Sequence, residues 1–193
     1  MDQSASCSEA RAYLEAARSA MQGLSADALE PAVELCWKAL SSGGKLLLCG
    51  NGGSAADAQH LAAELVARFR LERKALSAVA LTSDNAVITA MANDYHYSRV
   101  FARQVEALGR PGDVLVAIST SGSSPNVLEA AEAARARGLR VLGLTGSHPE
   151  GLEERCDVLI TAPSAETSHA QECLMVLGHA LCHCLELRAE QLV

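Results

Sequence analysis

From Lys45 onward, short apolar runs alternate with stretches of helical periodicity, and this alternation is what most restricts the fold. The runs are Lys45–Gly50, Leu76–Thr82, Asp113–Ser119, Arg140–Thr145 and Asp157–Ala162. Each is nearly continuous in apolar residues, as strands are when both faces are buried. Helical stretches lie between most of them, so the pattern predicts an α/β fold with a parallel sheet covered by helices on both faces. Two of the strand-to-helix corners are chemically unusual. One is rich in glycine, Gly50-Asn51-Gly52-Gly53-Ser54, and the other in hydroxyls, Ser119-Thr120-Ser121-Gly122-Ser123-Ser124.

Two amphipathic helices precede the alternation. The first is predicted over Ser8 to about Gly23, with Ala12, Leu14, Ala17 and Met21 as its apolar stripe. The second runs from Ser25, an N-cap, to about Ser42, burying Leu29, Val33, Cys36, Trp37 and Leu40. Pro31 within it implies a kink or a late start, and Gly43-Gly44 stops it. A last helix from about Glu166 to the end is apolar on more than one side (Leu174, Met175, Leu177, Leu181, Leu185). That width implies packing against another subunit.

The chain has 193 residues, enough for one domain with a sizeable core. Its formal charge is -7, and no Lys/Arg run appears, which argues against direct nucleic-acid binding. A phosphorylated ligand must therefore be held by local dipoles. No secretory signal is visible, and no apolar stretch is long enough for a membrane span. The seven cysteines are read as buried reduced thiols of a cytoplasmic protein. Cys182-His183-Cys184 is not read as a metal site, because residues two apart face away from each other on a helix.

The hydroxyl corner precedes Pro125, a residue suited to the first position of a helix. A helix N-terminus offers unpaired N–H groups and a partial positive charge, and so many hydroxyls there point to a phosphate site. An ordinary helix cap needs only one serine. The glycine corner lacks both the G-x-G-x-x-G spacing of dinucleotide sites and the lysine of a P-loop. Asn51, Gly52 and Ser54 are read instead as contacts to a small substrate. His60 and Glu64 lie one turn apart, with Asp57 one turn earlier. The plainer alternative pairs Glu64 with Arg68, also at i+4. Gln171 and His179 lie eight positions apart on the last helix, roughly 12 Å at about 1.5 Å per residue. A lone histidine there is as a rule a satisfied core residue, and Gly178 beside it permits close approach of another helix.

With these features together, the chain resembles the sugar-isomerase (SIS) domain family, and within it the bacterial phosphoheptose isomerases. Cys49-Gly50-Asn51-Gly52-Gly53-Ser54, Asn93-Asp94 and Ser119-Thr120-Ser121-Gly122 carry the likeness. It implies a three-layer αβα sandwich with a five-stranded parallel sheet, Rossmann-like or flavodoxin-like, preceded by two extra helices. Residues 1–193 then form a single SIS domain, with a helical extension over 1–43 used in oligomerisation and an αβα core over 44–193. It further implies a cytoplasmic homotetramer with active sites between subunits. The implied reaction converts sedoheptulose 7-phosphate to D-glycero-D-manno-heptose 7-phosphate through an enediol, feeding heptose biosynthesis for lipopolysaccharide or another glycoconjugate.

Position by position, the resemblance places Asn51, Gly52, Gly53, Ser54, Asn93, Asp94, Glu64 and Gln171 on the substrate. It sets Ser119, Thr120, Ser121 and Ser124 on the phosphate. His60, Glu64, Gln171 and His179 match a zinc site, one ion per subunit, and Glu64 and His179 match the catalytic acid and base. Ser168, His169 and Leu174 depart from the family pattern, and His169 is read as replacing a positive group. The competing function is a non-catalytic tetrameric SIS scaffold that binds the replication initiator protein. That relative lacks the residues matching Glu64 and His179, which favours the enzyme. Sugar-phosphate-sensing SIS domains usually carry a DNA-binding segment, and none is recognised in this sequence.

Overall fold

All five apolar runs form strands in the computed structural model of the chain, which describes residues 3–190. They are β1 (Leu46–Cys49), β2 (Ala78–Ala80), β3 (Val114–Ser119), β4 (Arg140–Thr145) and β5 (Val158–Thr161). The helices are α1 (Gln3–Gln22), α2 (Glu30–Ser41), α3 (Gly53–Val66), α4 (Asn85–Asp94), α5 (Ala102–Leu108), α6 (Pro125–Ala136) and α7 (Thr167–Glu190). The strands form one sheet in the order β2-β1-β3-β4-β5, with every neighbouring pair parallel. In register, Leu48 faces Val116, Val116 faces Leu142 and Leu142 faces Val158.

Successive strand side chains point to opposite faces, so a strand covered on both sides must be apolar throughout. Leu46, Leu48, Val114, Val116, Leu142 and Ile160 pack under α2, α3 and α7. Leu47, Cys49, Leu115, Ala117 and Val141 pack on the other face under α5 and α6. Each fully buried Leu, Val or Ile contributes about 1.5–3 kcal/mol of transfer free energy, which is why these runs tolerate no polar interruption.

The structure refines several expected boundaries. β2 is shorter than Leu76–Thr82, because it lies at the sheet edge and pairs only with β1. α1 begins before Ser8, at Gln3. Ser25 does act as a cap, accepting the Asp27 N–H at 3.2 Å, but of a 3₁₀ turn over Ala26–Leu29. α2 then starts late, with Pro31 in its first turn, where a missing N–H removes no helical bond. α1 and α2 lie along α7. The Tyr13 hydroxyl donates to Glu172 at 2.7 Å, and Arg188 pairs with Glu30 and Glu34. α7 leaves Val176 and Leu187 exposed, consistent with its width.

All seven cysteines are free, and Cys36, Cys49, Cys173 and Cys182 are buried. Burial pushes the Cys36 and Cys49 thiols up to about 12, so both stay protonated. Among the described residues, no helix is long and apolar enough to cross a membrane.

Candidate active site

The sheet order places a topological switch between β1 and β3, since β1 leads outward to β2 and β3 leads the other way to β4. Ligands of open α/β sheets bind at such a point, beyond the carboxyl ends of the strands. Both unusual corners lie there, one after β1 and the other after β3.

At the first corner the chain turns through Gly52, whose φ of +54° favours glycine. Gly53 is required for a different reason. A Cβ on it would lie 2.3 Å from the Gln171 side chain, so α7 closes directly over the start of α3. At the second corner Gly122 has φ +69°. Ser124 holds the N-cap position of α6 without a side-chain capping bond. Its hydroxyl is instead accepting from Ser119 at 3.0 Å, and Ser121 Oγ accepts the Ser123 N–H at 3.3 Å. Thr120 is tied in through its carbonyl, which accepts the Gly146 N–H at 3.0 Å. The serines face one another at a helix N-terminus, as a phosphate cradle does.

The corners are joined by a pair of amides. Asn51 Nδ2 donates to Asn126 Oδ1, and Asn126 Nδ2 returns the bond to Asn51 Oδ1, both at 2.8 Å. The Tyr97 hydroxyl also reaches Asn51 Oδ1, at 3.3 Å. Sequence reasoning assigned roles to neither Asn126 nor Tyr97. The only signal for Asn126 was a buriable amide in the first turn of α6. Asn93 and Asp94, at the end of α4, are exposed and bond each other at 2.7 Å. Among the described residues no hydrogen bond joins them to either corner.

α3 presents Asp57, His60 and Glu64 on one face, and α7 brings Gln171 and His179 against it. Gly178 allows this approach, because a Cβ there would sit 2.9 Å from the Leu61 side chain. His60 Nε2 lies 3.0 Å from His179 Nε2 and 3.1 Å from Glu64 Oε1, while His179 Nε2 lies 3.6 Å from Glu64 Oε1. Phe69 stacks on the His179 ring, with centroids 5.5 Å apart and planes at 13°. Glu64 thus pairs with the two histidines, and Arg68 stays exposed. The group opens to solvent, with side-chain exposures of 51% for His60 and 37% for His179 against 14% for Glu64.

Ligand atoms of His60, Glu64 and His179 all lie within 4.8 Å of one another. Glu64 Oε2 is buried with no hydrogen-bond partner, so the carboxylate has an unmet demand for a cation or a donor. Two imidazoles and a carboxylate are a donor set that suits zinc. Gln171 stands beside this set, and its amide donates to both oxygens of Asp57, at 3.3 and 3.1 Å. Burial pushes the Asp57 carboxyl above its ordinary value, opposed by Gln171 and the nearby imidazoles. His169 points elsewhere. It is 7% exposed, bonds Glu172 at 3.1 Å and packs on Tyr13, so it serves the α1–α7 contact.

The sequence profile of the SIS domain matches residues 11–146. A phosphoheptose isomerase of Burkholderia pseudomallei is 49% identical over 158 residues, covering 82% of this chain and 80% of that one. A phosphoheptose isomerase structure from Neisseria gonorrhoeae superposes with a TM-score of 0.87 at 41% identity, covering 96% of this chain and 100% of its own. One from Francisella tularensis gives 0.90 at 36% identity, covering 94% and 98%.

Proposed function

Since the chain belongs to the SIS domain family and, within it, to the phosphoheptose isomerases, we propose that it converts sedoheptulose 7-phosphate to D-glycero-D-manno-heptose 7-phosphate. The carrying observation is the 3.6 Å approach of Glu64 to His179 from two different helices. A carboxylate and an imidazole side by side are what an aldose–ketose isomerisation requires.

In this reading Ser119, Thr120, Ser121 and Ser124 hold the phosphate at the N-terminus of α6. Asn51, Gly52, Gly53, Ser54, Asn93, Asp94 and Gln171 orient the open-chain sugar. Glu64 takes a proton from C1, and the electrons of that C–H bond form the C1–C2 double bond of an enediol. His179 protonates O2 as the double bond forms and accepts the O1 proton as the aldehyde appears. Glu64 returns its proton to C2. Each such transfer typically contributes ~10²–10⁴-fold. His60, Glu64 and His179, with Gln171 beside them, would hold one zinc ion per subunit. When bound it supplies Lewis-acid polarisation of the sugar carbonyl.

We place the enzyme in the cytoplasm, at the first step toward nucleotide-activated heptose for lipopolysaccharide. We take residues 1–193 as one domain acting as a homotetramer, with 1–43 contributing to assembly and the sites lying between subunits. The apolar side chains that α1 leaves exposed (Tyr13, Leu14, Met21) support an association role. Incubation with sedoheptulose 7-phosphate and NMR identification of the product tests the reading. Formation of the aldose phosphate is expected; an unchanged ketose would overturn it.

A further inference from the structure

Glu186 sits on α7 at 0% exposure, among apolar neighbours. A carboxylate is held in such a place only when it is paired. All its partners come from the segment that follows α3. Oε1 accepts the main-chain N–H of Phe69 at 3.1 Å, and the Arg70 N–H reaches both oxygens at 3.1 and 3.0 Å. The Arg73 side chain, 1% exposed, brings Nε to 3.8 Å from Oε1. Burial alone would raise the Glu186 carboxyl. The N–H groups of Leu71, Arg70 and Phe69, together with the Arg73 charge, hold it below its ordinary value.

Arg73 in turn terminates α3. Its Nη2 donates to the Glu64 carbonyl at 2.7 Å, and its Nη1 to the Leu65 carbonyl at 2.8 Å and the Lys74 carbonyl at 3.0 Å. A cation suits this end of a helix, where carbonyls lack partners. The same ion pair therefore fixes the main chain of Glu64 and, by tethering Phe69, the aromatic plane stacked on His179.

We propose that Glu186 and Arg73 are positioning residues of the isomerase site, which hold Glu64 and His179 in their relative geometry through the end of α3 and the ring of Phe69. This rests on the reading of Glu64 and His179 as the proton-transfer pair. Proton transfer needs heavy-atom contacts of about 2.6–3.2 Å, so small rotations of either side chain are costly to rate.

The test uses the full chain with Glu186→Gln, Phe69→Leu and both together. It measures kcat and KM for sedoheptulose 7-phosphate, and zinc affinity by competition with a chelator. Each single variant is expected to lose roughly 10–100-fold in kcat, the usual effect of an outer-shell partner. KM should stay near the wild-type value, because the serine corner lies on another strand. The double variant should be no slower than the worse single, since both act through His179. Zinc affinity should fall in the same variants. Wild-type kcat and zinc affinity in the variants, a change confined to KM, or additive losses would overturn the proposal. If Glu186→Gln does not fold, Phe69→Leu decides alone, because it leaves the ion pair intact. A wild-type chain inert on this sugar would defeat the functional reading instead, and the zinc affinities would still decide the positioning role.

Discussion

The Nε2 atoms of His60 and His179 lie 3.0 Å apart, although 119 positions separate the two residues in the chain. Two imidazolium groups repel at that distance, so the pair favours a shared proton or a metal ion between neutral rings. Glu64 lies against both, with one oxygen lacking a partner.

Metal content follows from this arrangement. The purified chain is expected to contain one zinc ion per subunit by elemental analysis, and His60→Ala to lose most of it. Chelation should abolish turnover, and added zinc should restore it. Stoichiometric metal in His60→Ala would place the ion elsewhere.

The serine corner makes a separate prediction. A hydrogen bond to a charged group contributes about 1.5–3 kcal/mol, roughly 10-fold or more in binding. Ser121→Ala or Ser124→Ala should therefore raise KM for the phosphorylated sugar by about that factor, with a smaller change in kcat. An unchanged KM in both variants would remove the phosphate from this corner.

A third prediction concerns acid stability. Asp113 lies between β1 and β3, 2.5 Å from Lys45 Nζ, and it accepts the N–H groups of Lys45 and Arg110, each at 2.9 Å. Burial works to raise its carboxyl, but these partners prevail and hold it below the ordinary value. A depressed carboxyl contributes stability that is complete above its unfolded value, near pH 3.9. That stability is lost as the pH falls through the folded value. Asp113→Asn should cost roughly 1–3 kcal/mol at pH 7, measured by urea unfolding. The gap to the wild type should close below about pH 4. A gap independent of pH would mean that the carboxylate charge is not what stabilises the contact.

The sheet was legible because burial on both faces leaves a continuous apolar signature, and all five runs are strands. Only the edge strand was overextended, since Leu76, Leu81 and Thr82 are buried without joining the ladder. Pro31 marked a real boundary, and the 3₁₀ turn before it explains how the chain accommodates it. Within the site, the His60–Glu64 spacing revealed one helix face. Its meeting with His179 depends on α3–α7 packing across Gly178 and Leu61, which no local pattern encodes. The Asn51–Asn126 amide pair left no periodic trace for the same reason. Glu186 did leave one, a charge beside Leu185 and within reach of Cys182 and Ala189 on the buried side of α7.

The most direct test compares the wild type with Glu64→Gln on sedoheptulose 7-phosphate, with circular dichroism to confirm that both are folded. The account predicts turnover by the wild type and a loss of about 100-fold or more in the variant, the scale of acid–base catalysis. A folded Glu64→Gln protein that isomerises the sugar at the wild-type rate would contradict it.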